Sequence, residues 1–145
     1  MKFDSNLEMK GRLTISLNDE VVQEIDNLVV TAGKNFVASR MASNSTAVMS
    51  HMGIGTDNTA AAAGQTALIA EHSDGRVTLT GTPSASGADV TYVGTFGAGV
   101  SSGAITEAGI FNAASGQTML CRTVFAVVNK GPSDSMVVTW TVTAS

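Results

Sequence analysis

The stretch Ala88-Asp89-Val90-Thr91-Tyr92-Val93-Gly94-Thr95-Phe96 decides the fold. Val90, Tyr92, Gly94 and Phe96 fall on one parity, and Thr91, Val93 and Thr95 on the other. Successive side chains of a pleated strand point to opposite sides, so this period of two is that of a strand with one buried face. The same period runs upstream from Leu7 to Leu17, where Leu7, Met9, Leu13, Ile15 and Leu17 alternate with Glu8, Lys10 and Arg12. Asn18-Asp19 is turn chemistry. Glu20 to Val30 fits a helix by spacing, but its β-branched residues and the preceding turn favour a second strand, which makes a hairpin.

Between these two anchors the pattern changes. Thr31 is placed to cap a short helix over Ala32 to Ala42, with Phe36, Val37, Arg40 and Met41 on one face as a core stripe. Ala47 to Thr56 reads as a strand. Asp57 to Glu71 is an Ala-rich connection with a turn of helix at its end, and Arg76 to Thr82 is a strand followed by a turn from Gly81 to Gly87. Downstream, a small-residue loop from Gly97 to Gly103 leads to three more strands, Ala104–Asn112, Met119–Val128 and Met136–Thr143. The connections at 113–117 and 129–134 are rich in Gly, Ser and Asn. Short strands at roughly ten-residue spacing predict a mainly β chain, an antiparallel β-sandwich or barrel-like body with one short helix and an N-terminal β-hairpin or arm.

Composition narrows what such a body can do. Charged residues are 14% of the 145 positions, against about 25% in ordinary domains. Small residues replace them, with 19 Ala, 17 Thr, 15 Gly and 15 Ser. Eight Lys and Arg against twelve Asp and Glu give a net charge of −4, which argues against nucleic acid as a partner because phosphate neutralisation needs clustered cations. Eleven of the twenty charged residues lie in residues 1–40. The chain therefore divides into a charged N-terminal segment, 1–40, and a neutral body, 41–145. The segment is either a solvated hairpin on the same domain or an arm that docks on a partner, with Phe3, Leu7, Met9, Lys10 and Arg12 as candidate attachment residues. A neutral body has few charges to repel its neighbours, which favours self-association. The start of the chain shows no secretory signal and no apolar run long enough for a membrane, so a cytosol-like compartment is expected.

Chemistry-bearing residues are sparse. His51 lies among methionines, and His72 lies in the polar Glu71-His72-Ser73-Asp74-Gly75. A catalytic histidine needs a nucleophile and an orienting group that the sequence does not supply, so no catalytic residues are assigned. Asp89 and Glu107 read as exposed or edge charges, although Glu107 lies in a nearly uncharged stretch and is placed to pair with Arg122 across a hairpin. The lone Cys121 permits no internal disulfide and reads as a small buried hydrophobe. Two distant histidines and one cysteine make no zinc site, and no metal or cofactor is expected. Gly97-Ala98-Gly99-Val100-Ser101-Ser102-Gly103 approaches a dinucleotide loop, but the following segment reads as strand and supplies no helix N-terminus for a pyrophosphate. Only Tyr92 and Trp140 could serve as glycan platforms.

Four segments carry a resemblance. Asn27 to Phe36, Met49-Ser50-His51-Met52-Gly53-Ile54-Gly55-Thr56, Ile105 to Asn112, and Asn129-Lys130-Gly131 with Val137 to Thr141 resemble a family of small tailed-bacteriophage virion proteins. The likeness spans most of the chain and lies in strands and turns rather than in a catalytic signature. It implies a non-enzymatic virion part, made in the bacterial cytoplasm, that assembles with copies of itself as a trimer or hexamer and with a major capsid or tail protein. Head decoration is the leading expectation. A tail-fibre, collar or baseplate component is the alternative, and a host-glycan-binding module stands behind both.

Overall fold

A computed structural model describes residues 8–43 and 45–144. Nine strands and one helix follow in order: β1 (Met9–Leu17), β2 (Glu20–Leu28), α1 (Thr31–Ala42), β3 (His51–Gly55), β4 (Val77–Thr78), β5 (Ala85–Ser86), β6 (Asp89–Phe96), β7 (Gly103–Phe111), β8 (Met119–Lys130) and β9 (Met136–Ala144). They form two antiparallel sheets, ordered β2-β1-β9-β6-β5 and β4-β3-β7-β8. The chain is a β-sandwich, and one core cluster lies between the sheets.

Period-two alternation builds each wall of that core. On β1, Leu13 and Ile15 are fully buried while Arg12 is exposed; on β9, Met136, Val138, Trp140 and Val142 face in; on β6, Tyr92, Gly94 and Phe96 do. The facing sheet supplies Met52, Ile54, Ala108, Ile110 and Cys121. β1 pairs with β9 over nine consecutive positions, from Met9↔Ala144 to Leu17↔Met136.

The hairpin is therefore woven into the sheet, and β1 lies next to its central strand. The division into an attachment segment over 1–40 and a body over 41–145 does not describe this arrangement, because the body's core includes Leu13, Ile15 and Val29. Charge contrast along the sequence marked the outer face of the hairpin, not a boundary between units. The hairpin closes through Asn18 and Asp19, both with positive φ (52° and 67°), as a two-residue mirror-image turn requires. A bulge between Ile15 and Ser16 leaves Val22 of β2 without a register partner on β1, and Val21 and Val22 are both exposed.

The helix differs from its expected form. Val30 is the N-cap, and Thr31 is the first helical residue with no side-chain cap bond; its backbone N–H is satisfied instead by the Ala63 carbonyl at 2.8 Å. The expected stripe is uneven, since Phe36 packs partly against the core but Met41 is 81% exposed. Gly33 is the buried residue of α1, because a side chain there would strike the Leu120 carbonyl of β8. Close backbone contact, not an apolar stripe, seats this helix. The expected turn of helix at the end of 57–71 is absent, and that segment runs as an irregular loop.

Candidate functional site

The loop from 56 to 71 lies across the outer side of the β4-β3-β7-β8 sheet, and a buried ion pair holds it there. A register shift between Ile105 and Glu107 changes the parity of β7. Ile105 faces the sandwich core, and after the shift Ala108 and Ile110 do so, which turns Glu107 to the outer side. Arg122 on β8 is paired with Gly109, two positions along the same side. The structure brings Glu107 and Arg122 together: Arg122 Nε donates to Glu107 Oε2 at 2.8 Å, and both side chains are fully buried. Glu107 also accepts from the backbone N–H of Ala70 (2.7 Å) and Ile69 (3.2 Å). Arg122 Nη1 donates to the Thr59 carbonyl (2.9 Å) and to Gln65 Oε1 (3.1 Å). Its Nη2 has no hydrogen-bond partner among the described residues, but Asp57 Oδ1 lies 3.7 Å away. Gly55 makes room for this, since a side chain there would strike the Ala70 carbonyl and Glu107.

A second cation ties the same loop at its end. Arg76 Nε donates to Glu71 (2.9 Å), its Nη1 reaches the carbonyls of Ala113 and Gly116, and its guanidinium stands 3.4 Å over the Phe111 ring. Under the loop, Val30, Leu68, Phe111 and Met119 form a separate small core. Glu107 is therefore a structural latch and not the exposed charge that an isolated acid on a strand suggests. The bulge that turns it outward leaves no mark in the apolar pattern, whereas its placement in a nearly uncharged stretch did point to Arg122.

The other candidates lie apart from the latch. Phe3 and Leu7 fall outside the described residues. Met9 packs partly against the core. Lys10 is exposed and sits 3.3 Å from Glu8. Arg12 is exposed and bridges Asp26 (2.8 Å) and Glu24 (3.3 Å), and the Asp26 hydrogen bond and charge raise its pKa. These pairs occupy the outer face of the hairpin.

The histidines take part in loop locking. His72 Nε2 meets the Ser102 carbonyl at 2.9 Å, while its Nδ1 accepts from the Asp74 backbone N–H at 3.1 Å. Both ring nitrogens thus serve backbone groups, and Asp74 itself accepts from the Ser101 N–H at 2.6 Å. His51 Nδ1 shares a 2.8 Å hydrogen bond with its neighbour Ser50. Sequence reasoning missed two further locks. Lys130 is buried with Nζ donating to the Gly97 carbonyl at 2.8 Å. Asn18 ties the β1–β2 turn to the β8–β9 turn by donating to Asp134 (2.9 Å) and accepting from the Ser135 N–H (3.0 Å). The Asn18 bond holds the Asp134 carboxyl below its ordinary range. Turn residues 116 positions apart give no local signal of such a pairing.

The two candidate glycan platforms, Tyr92 and Trp140, are in the core. Trp140 is fully buried, with Nε1 donating to Asn27 at 2.9 Å, and Tyr92 is 8% exposed. Burial pushes the Tyr92 phenol up to about 12, and the neighbouring Cys121 adds to the shift. An unfolded phenol ionises near pH 10. The stability held by the neutral folded phenol is therefore whole below about pH 10 and is lost as pH rises toward 12. As Tyr92 is the single tyrosine, near-ultraviolet absorbance against pH reads it directly, and a midpoint at the unfolded value would contradict the burial. Cys121 is fully buried, and burial raises its thiol strongly. A thiol reagent at mildly alkaline pH should leave the folded chain unmodified and react fully once denaturant is added; rapid reaction of the folded chain would show that the core admits solvent.

Among the described residues, no three His, Cys, Asp or Glu side chains gather to hold a metal ion, and no helix is long and apolar enough to cross a membrane. No protein-family model, no curated protein and no solved structure matches the chain.

Proposed function

We propose that this chain is a non-enzymatic structural protein of a bacteriophage virion, which decorates or cements the head shell and associates with its own copies. The observation that carries this reading is the contrast between the two outer sheet faces. One is roofed by the chain's own loop, latched by Glu107, Arg122 and Arg76. The other, formed by β1, β9 and β6, is bare and lined mainly by Thr, Ser and Val. A body whose buried charges fasten its own loops, and whose open surface is built mainly of threonine with a few charges of both signs, suits a part that must persist while making one contact many times. The attachment surface in this reading is the chain ahead of β1, where Phe3 and Leu7 are the candidates, which leaves the outer sheet face to a contact between copies.

Quantitative mass spectrometry of purified tailed-phage particles whose genome encodes the chain tests this. Hundreds of copies per particle support the head assignment. A handful of copies moves the chain to a tail fibre, collar or baseplate. Particles that lack it overturn the reading.

A further inference from the structure

We infer that the bare face of the five-stranded sheet is a two-fold contact with a second copy of this chain, the axis running along β9. This rests on the structural reading above and gives it a specific surface.

The face is open by construction. α1 packs on β8, β2 also meets β8, and no described element lies across the outer side of β1, β9 and β6. In register, Thr14, Thr139 and Val93 form one row across the three strands. Arg12, Thr141 and Thr91 form the next, with a 3.2 Å hydroxyl contact between Thr91 and Thr141. Each threonine hydroxyl both donates and accepts, so a face of this kind can be satisfied by its own likeness.

Charge decides the geometry. β9 is the central strand of the sheet, with β1 on one side and β6 on the other. A two-fold axis along β9 keeps each row level and exchanges the two sides. Lys10 on β1 and Asp89 on β6 are both register partners of Thr143. The axis therefore sets Lys10 of each copy against Asp89 of the other, twice over, and both residues are exposed. It also sets the neutral β5 edge, Ala85 and Ser86, against the Asn27–Leu28 end of β2, and the acids Glu20, Glu24 and Asp26 of that edge lie past the end of β5. Pairing β2 edge to edge with its own copy would instead bring those acids together, a repulsion that guards the edge.

The area fits a weak contact. Three to four strands at about 4.8 Å spacing and about 28 Å long give roughly 400–550 Å² per copy, at the lower end of specific interfaces. Such a contact is weak in dilute solution and becomes effective when copies are held close together on a shell.

Sedimentation equilibrium of the full chain, from micromolar to millimolar concentration, tests it. The wild type should form reversible dimers. Lys10→Glu and Asp89→Lys should each weaken association by at least about tenfold, and the double reversal should restore it to within about threefold. Within one chain, Lys10 and Asp89 stand two strand spacings apart, so only an intermolecular contact gives this pattern. Thr139→Arg, on the axis, should abolish dimers while leaving the melting temperature unchanged, and it serves as the second probe if either reversal disturbs folding. A monomer at millimolar concentration, an odd-numbered assembly, or association indifferent to these changes overturns the inference. If particles carry the chain but its association ignores the reversals, the contact is wrong and the virion reading stands. If no particle carries it, the virion reading fails and sedimentation alone judges the contact.

Discussion

Glu107→Gln should destabilise the chain by about 3–5 kcal/mol, because removing one partner of a buried ion pair strands the other. Arg122 is fully buried, and its remaining carboxylate neighbour, Asp57, is 3.7 Å away with its side chain partly exposed. Geometry deepens the loss. Both Glu107 oxygens accept from N–H groups, one from Ala70 and the other from Arg122 and Ile69. A glutamine has one acceptor oxygen, so its amide nitrogen must face a donor whichever way it turns. The effect should have a local part as well. With the latch broken, the 56–71 loop gains access to solvent, and a nonspecific protease should cut it well before the sandwich unfolds. Urea unfolding and a timed digest read the two parts separately. A Glu107→Leu, Arg122→Met double variant should recover much of the global stability while leaving the loop cleavable, since the Thr59 and Gln65 contacts depend on the guanidinium. If Glu107→Gln unfolds like the wild type and its loop resists digestion, the pair is not what holds the loop.

The strands that form the core were legible because alternation records burial directly. β6, β7, β8 and β9 lie where Ala88–Phe96, Ala104–Asn112, Met119–Val128 and Met136–Thr143 placed them, to within a residue or two at most ends. The hairpin turn was readable from Asn18-Asp19 for the same local reason. What escaped was everything set by contact between distant segments. β4 keeps only Val77 and Thr78 of the expected Arg76–Thr82 strand, because Arg76 is drawn to Phe111 and the 113–116 turn, while the N–H groups of Leu79 and Thr80 turn to the carbonyls of Ser50, just ahead of β3, and of Val93 on β6 in the other sheet. The Ala-rich connection over the β7–β8 face was expected to end in a turn of helix, yet its carbonyls and N–H groups are spent on Arg122, Glu107 and α1. Charge contrast misled for a related reason. Counting ionisable groups along the chain separated residues 1–40 from the remainder, but in a sandwich the charged and buried residues of one strand are neighbours on opposite faces. Lys10 and Arg12 marked the surface of β1, and Leu13 and Ile15 on the same strand carry its structural weight.

That arrangement makes a truncation informative. Removing residues 1–30 should abolish folding altogether, rather than yield a folded body without its anchor. The deletion takes away Leu13, Ile15, Val29 and Val30, each 3% exposed or less. At 1.5–3 kcal/mol per buried aliphatic side chain, their loss is roughly 6–12 kcal/mol. A domain of this size has a total stability of about 5–15 kcal/mol. Backbone pairing adds to the deficit, because β9 loses its partner along nine positions and becomes an edge bearing Met136, Val138, Trp140 and Val142. The expected product shows no cooperative melting by circular dichroism and aggregates on concentration. A chain beginning at Glu8 keeps all of β1 and should melt like the full chain, so it can test Phe3 and Leu7 as attachment residues. Loss of particle attachment in this folded variant would locate the contact in residues 1–7. A folded, monodisperse chain lacking residues 1–30 would show that the remaining strands close a core without β1, and the hairpin would then be a separable arm after all.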